Sequence, residues 1–410
     1  MMFQYFDTLV TGIENVLEND PSQKSHRKLY ALEVARLGRR LYSGTDRLAW
    51  CGVVAPFDLL AAMGVTSCFV EFIGAMLAAT GASSEFLKEA EDAGFAPDTC
   101  AYHRAVLGAG RKGMMPEPDF FIATSAPCTG GIGVMENMAA MFKKDLFVLN
   151  IPQNDDPASV AYLADQMRSL ADFVSRHTGQ PLSMNRLAEA VTYSNRAAAV
   201  MSEVYRLAEH VPSPVCAKDL RNFGIVAALL LGTPQAVTVA EAFRDAFAAR
   251  IANNTPGVPG EKIRLLWIQN RVQFKNNLED LLENEFHACI VADELNDVTW
   301  DPIDPADPFP GMAKRAISIP LNGPVERRVK HLADMARRYK IHGAINPCHF
   351  GCRQGTGARG LVALGLKQVN VPVLNLEVDC VDTRNYAPGQ MHTRIAAFIE
   401  MLENRGNPWG

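Results

Sequence analysis

Cysteines placed between a strand and a helix are the residues of this sequence best suited to chemistry. Residues 345–360 read INPCHFGCRQGTGARG, with Cys348 and Cys352 four apart, after strand-like HGAINP and before a helical stretch. Cys128 repeats that placement, following the apolar run FFIATSAP and preceding TGGIG and a helix. Cys100 lies in APDTCAYHRAVLG, where Asp98 or Thr99 is the expected helix cap and Cys100 falls in the first turn. In an open parallel sheet, strand C-terminal ends and helix N-termini gather on one edge, where ligands bind. Helix N-terminal amides also favour thiolate over thiol. Three distant stretches can therefore meet around one anionic centre, with Cys348 either a neighbour of the third thiol or its replacement. Iron–sulfur clusters take thiolate ligands, and three on a cubane leave one iron open. Zinc held by Cys100, Cys128 and Cys352 with His103 or His349 is a second reading. The third is that these thiols pack in a core, the ordinary fate of free cysteine.

The string GTGARG at 355–360 competes for the same loop, because it fits a dinucleotide fingerprint and Asp379 ends the next predicted strand. That mechanism needs the first glycine directly after the strand, so that the helix N-terminus meets a pyrophosphate. Here CHFGCRQ intervenes. The expectation is that these glycines let a loop and a helix start pack closely.

The elements that must position the cysteines alternate along the chain. LAWCGVVAP reads as a strand, and PFDLLAAMG and FIGAMLAATG carry helical apolar spacing. DFFIATSAP (119–127), GIGVMENMAAMFKK (131–144) and DLFVLNIP (145–152) give strand, helix, strand, a parallel crossover unit. Residues 158–250 read as mostly helical. A second alternating block follows: strand KIRLLWIQN (262–270), helix FKNNLEDLLENEF (274–286), strand HACIVADE (287–294), helix PVERRVKHLADMARRYK (324–340), and strand HGAINP (342–347). Helix GARGLVALGLKQV (357–369), strand VPVLNLEVD (371–379) and helix GQMHTRIAAFIEMLENR (389–405) complete it. The expected fold is α/β: two flavodoxin-like domains with mainly parallel sheets flanked by helices, plus N-terminal and connecting helices. The expected divisions are a helical segment 1–45, a first α/β domain 46–176 with Cys100 and Cys128, a helical connector 177–255, and a second α/β domain 256–410 with Cys352. The two α/β blocks could be related in shape.

Bulk properties narrow the function classes. The chain has 410 residues, enough for two or three domains, and its net charge of −5 gives no general drive toward nucleic acid or a membrane surface. No basic, aromatic-laced stripe is present. The longest apolar stretch, FGIVAALLLG (223–232), is too short to span a bilayer, which takes about 20 residues. MMFQYFDTLVTGIENVLEND carries early acids and no positive n-region, a poor signal peptide, so a cytoplasmic protein is expected. Nine cysteines without a signal peptide argue against a disulfide framework. Cys51, Cys216, Cys289 and Cys380 lie in or beside apolar segments and are expected in the core, as is Cys68.

An ordered set of motifs carries a resemblance. PFDLLAAMGV, AEDAGFAPDTCAYHRAVLG, FFIATSAPC followed by LFVLNIPQNDD, HFGCRQ, and VPVLNLEVDCVDTRNYAPGQMHTRIAAFIEML together resemble the 2-hydroxyacyl-CoA dehydratase / benzoyl-CoA reductase family of iron–sulfur subunits, from about residue 50 to 405. The resemblance implies a [4Fe-4S] cluster between two α/β domains. It assigns Cys100, Cys128 and Cys352 as ligands, each at its matching motif. It also implies a homologous second subunit, identical or different, an ATP-dependent iron–sulfur activator as electron donor, and an acyl-CoA substrate. The activity implied is dehydration of a 2-hydroxyacyl group or reduction of an aromatic ring by one-electron, ketyl-radical chemistry. Glu71, in CFVEFIGA, falls where catalytic subunits carry a glutamate, although FVEF departs from the usual proline–glutamate; a plain helix N-terminal acid is its alternative. Arg353 is expected either to contact the cluster or an acyl-CoA phosphate, or to be solvated. A homodimeric branch with a double-cubane [8Fe-9S] cluster reduces small molecules and fits three cysteines as well. A non-catalytic zinc or structural-thiol scaffold is the alternative from another class.

Overall fold

The computed structural model describes residues 2–20, 24–221 and 223–409. Two four-stranded sheets organise it. Strands β1 (Arg47–Cys51), β2 (Val65–Phe69), β3 (Phe120–Thr124) and β4 (Leu146–Leu149) form the first, in the order β2-β1-β3-β4. Strands β5 (Ile263–Trp267), β6 (Ala288–Asp293), β7 (Gly343–Asn346) and β8 (Val373–Asn375) form the second, in the order β6-β5-β7-β8. Every pairing is parallel, with Cys51 opposite Ile122 and Trp267 opposite Ile345. The central strands read as apolar runs because helices cover both faces, and Phe120 through Ala123 are wholly buried. The two sheets share one strand order, so the two α/β blocks are alike in topology.

That order sets where a site can form. After β2 the chain crosses to the far side of β1 and lays down β3; after β6 it crosses β5 and lays down β7. A crevice opens at the C-terminal ends of the strands on either side of each crossing. Cys128 follows β3 and Cys348 and Cys352 follow β7, so both loops leave from those crevices. Cys100 begins helix Ala101–Arg111 in the crossover between β2 and β3.

The connector consists of long helices, Pro157–Thr178, Met184–Ala208 and Pro234–Ala252. The first two are capped by Asp156 and Ser183, whose side chains accept from backbone N–H groups three residues on. At the N-terminus, helices Met2–Asn19 and His26–Leu41 are held to this layer where His26 Nε2 meets Asp219 at 2.7 Å and Arg250 reaches the same carboxylate at 2.6 Å. No helix among the described residues is long and apolar enough to cross a membrane.

Four local readings change. VTSCF forms β2, a strand not anticipated, and Cys68 is buried within it. FKNNLEDLLENEF is helical only from Leu278: the Asn276 side chain accepts the Leu278 N–H at 3.0 Å and turns the chain first. VPVLNLEVD pairs only at Val373–Asn375, because the chain beyond bends to the first domain, where Ser83 Oγ donates to Val381 O at 2.9 Å. Helix Pro308–Ser318 was not anticipated from its prolines, which are tolerated in a first turn.

That last helix locks the domains. Arg315 grips the wholly buried Asp58 with two bonds, 2.7 and 2.8 Å, and Ser194 Oγ of the connector donates to the same carboxylate at 3.1 Å. Burial alone would raise the Asp58 pKa; the Arg315 charge and hydrogen bonds, with those from Ser194 and Leu59, outweigh it and hold it low. Arg315→Met strands a buried carboxylate and is expected to cost about 3–5 kcal/mol in urea denaturation, while the Asp58→Leu/Arg315→Met double variant recovers most of that.

Candidate functional site

Each of the three cysteines opens a helical turn in the same way. Cys100 is itself the cap of Ala101–Arg111, a correction to the expected Asp98 or Thr99, and Cys352 caps Arg353–Gly357. Cys128 stands two residues before helix Gly130–Phe142. In every case the backbone N–H groups two and three residues ahead approach the sulfur: Tyr102 and His103 for Cys100, Gly130 and Gly131 for Cys128, Gln354 and Gly355 for Cys352. The Gly355 N to Cys352 Sγ distance is 3.3 Å. Burial raises the pKa of all three thiols. Cys352 and Cys128 raise that of Cys100 further, and Cys352 and Glu71 that of Cys128. Three thiols within each other's electrostatic reach, each met by amides, suit a centre that brings positive charge. Among the described residues no three His, Cys, Asp or Glu side chains are grouped to hold a single metal ion. Of the candidate fourth zinc ligands, His103 Nε2 meets Glu71 and His349 Nε2 lies beside Cys100 Sγ.

Backbone contact brings the loops together. Gly351 adopts φ +71°, and a Cβ there would lie 2.6 Å from both Asp98 O and Cys100 N, so only glycine lets the Cys352 loop rest on the Cys100 segment. Gln354 Nε2 donates to Pro127 O beside Cys128. Arg328 donates to Gln354 O at 2.8 Å while gripping the buried Glu294 at 2.6 and 2.8 Å, and Glu294 accepts the Gln269 N–H at 3.0 Å. The Gln269 side chain also hydrogen-bonds Cys352. Gln269 lies two residues past the end of β5, the one signal that could have singled it out.

The glycine string serves this packing at one position. A Cβ on Gly355 would strike Gln269, whereas Gly357 and Gly360 face open space. Asp379 is buried, and its Oδ1 accepts from Val381 N and Asp382 N at 2.8 Å each, a loop cap rather than a ribose ligand. Arg353 is exposed.

Around the thiols, Glu71 Oε1 lies 3.2 Å from His103 Nε2, and Glu71 Oε2 is buried with no hydrogen-bond partner. Gly130 packs between the His103 ring and Cys128 Sγ. His349 is fully buried: Nδ1 accepts the Cys380 N–H at 2.9 Å, Nε2 lies 3.4 Å from Cys100 Sγ, and the Tyr102 ring meets it edge-on at 5.2 Å. Burial, with His103 and Arg104 nearby, pushes its pKa down to about 3. Cys348 turns away with φ +46°, its Sγ 3.4 Å from Asn375 Oδ1. Cys51, Cys68, Cys289 and Cys380 are buried, but Cys380 lies at the site's edge with its N–H on His349.

A profile of the 2-hydroxyglutaryl-CoA dehydratase D-component family matches residues 52–402. The chain belongs to this family. It is 22% identical over 391 residues to lactoyl-CoA dehydratase subunit alpha of Anaerotignum propionicum, covering 87% of this chain and 91% of that protein. A benzoyl-CoA reductase subunit of Thauera aromatica is 23% identical over 355 residues, 79% and 81% of the two chains. (R)-2-Hydroxyglutaryl-CoA dehydratase subunit alpha of Acidaminococcus fermentans is 21% identical over 304 residues, 72% and 62%. The resemblance read from the ordered motifs therefore holds, and the chain is a dehydratase or benzoyl-CoA reductase-type subunit.

Burial pushes the Asp379 carboxyl up to about 6, against the Asp382 and Val381 amides that favour its charge. Between about pH 4, where the unfolded carboxyl ionises, and pH 6, the native state binds more protons, so this group's contribution to stability falls as pH rises and is level above. Asp379→Asn is expected to gain on the wild type across that window, by on the order of 3 kcal/mol, read by denaturation of metal-free protein at a series of pH values.

Proposed function

We propose that this chain is an iron–sulfur subunit that acts on a CoA thioester by one-electron chemistry, dehydrating a 2-hydroxyacyl group or reducing an aromatic acyl ring, with a [4Fe-4S] cluster held by Cys100, Cys128 and Cys352. The observation that carries the reading is the convergence of three amide-capped thiols from both domains at the C-terminal edges of two parallel sheets. Bound there, the cluster would supply electrons singly at low potential and an iron open to a substrate oxygen.

The chain's own groups do the rest. The six backbone N–H groups oppose the effect of burial on the sulfurs and fix their directions. Packing around Tyr102 and His349 keeps water off the Cys100 side. Glu71 has one oxygen anchored on His103 and the other free, within electrostatic reach of Cys128, an arrangement suited to moving a proton at a substrate carbon. The relatives named as subunits support a homologous partner chain. Electron delivery by an ATP-dependent iron–sulfur activator belongs to the same reading.

Iron and acid-labile sulfide on protein purified without oxygen test it, with about four of each expected per chain. Alanine at Cys100, Cys128 or Cys352 is expected to remove the visible charge-transfer absorption. Roughly double the iron moves the assignment to a double-cubane [8Fe-9S] reductase of small molecules. Zinc alone, or no metal, defeats it. In an acyl-CoA assay with an activator, Glu71→Gln is expected to keep its iron and lose turnover by about 10²–10⁴-fold.

A further inference from the structure

We infer that His349 is a positioning residue that donates its Nε2–H to the Cys100 thiolate and so raises the reduction potential of the cluster. The inference rests on the cluster reading above and adds a role for a side chain that supplies no ligand. Its ground is a chain of hydrogen-bond polarity. A backbone N–H only donates, so the Cys380 N–H at 2.9 Å obliges His349 Nδ1 to accept. The ring's proton is then on Nε2, and Nε2 lies 3.4 Å from Cys100 Sγ. A second proton on Nδ1 would confront the Cys380 N–H at 2.9 Å; Asp379 Oδ1 stands farther off, 3.5 Å from Nδ1, so the backbone contact sets the tautomer. The ring cannot swing away: it is fully buried, and the Tyr102 ring stands against it at an interplanar angle of 74°.

This bond is unlike the others at the site. The amides on Cys100 and Cys128 come from each cysteine's own helix start, whereas His349 belongs to the second domain and reaches a thiolate of the first. It therefore also reports whether the two halves of the site are closed on each other. An N–H directed at a ligand sulfur withdraws electron density from it and favours the reduced, more negative state, so the potential rises with the bond and falls without it. A hydrogen bond to a charged group corresponds to roughly tenfold or more in an equilibrium constant, which is about 59 mV for a one-electron couple.

Two variants separate the bonds. His349→Asn keeps an acceptor near the Nδ1 position for Cys380 but cannot reach Cys100. His349→Gln places an amide N–H near the Nε2 position and gives up the bond to Cys380. Each is purified without oxygen beside the wild type, assayed for iron and sulfide, and titrated with redox dyes while the reduced cluster is followed by electron paramagnetic resonance. The expected result is normal iron in both, with the reduced-to-oxidised ratio at a fixed poise about tenfold lower in His349→Asn and near wild type in His349→Gln. Equal potentials in wild type and His349→Asn overturn the inference, as does a fall in His349→Gln alone. Iron in the wild type but in neither variant makes His349 an assembly residue and overturns it too. Absence of iron from the wild type defeats the cluster reading itself, a failure visible before any potential is measured.

Discussion

The site depends on one backbone contact, the resting of residue 351 against residues 98–100. Neither sheet alone holds three thiols: the first contributes Cys100 and Cys128, the second Cys352. They meet because Gly351, at φ +71°, has no side chain to keep the loops apart. The contact persists because the loops on both sides are tied by buried charge. Arg328 and Glu294 hold the Cys352 turn from behind, and Arg315 and Asp58 fasten the second domain to the first. Truncating one member of such a pair leaves the other buried and unpaired, so these ties hold geometry more strongly than they add net stability.

Burial raises the pKa of each of the three thiols and neighbouring thiols or Glu71 raise two of them further, while backbone amides, with the Gln269 side chain and the Arg328 charge at Cys352, oppose this. Amides supply partial positive charge, so they orient the sulfurs without neutralising them.

Legibility in the sequence followed the range of the forces involved. The strand–loop–helix placement of Cys128 and Cys352 is a local pattern, and apolar runs such as FFIATSAP are unmistakable where both faces are buried. VTSCF escapes notice because Thr66 and Ser67 break the apolar run, although β1 buries all five of its residues. The sequence puts the Cys100 cap one or two residues early, since Asp and Thr outrank Cys in ordinary capping, whereas the helix begins at Ala101. Spacing cannot separate Cys348 from Cys352, because what divides them is a left-handed turn at Cys348. His349 is visible only as a zinc alternative, since its partners lie 249 residues before it and 31 after.

The two sheets share one strand order, yet their contributions to the site differ in chemistry. The first domain brings two of the three thiols and Glu71. The second brings one thiol and the N–H donors and cation that face the thiols, namely His349, Gln269 and Arg328. Gln269 and Arg328 serve Cys352 and its turn from within the second domain, whereas His349 Nε2, 3.4 Å from Cys100 Sγ, reaches across the junction. A topology repeated twice can in this way build a site that neither copy contains, provided the repeats diverge in the few residues at their strand ends.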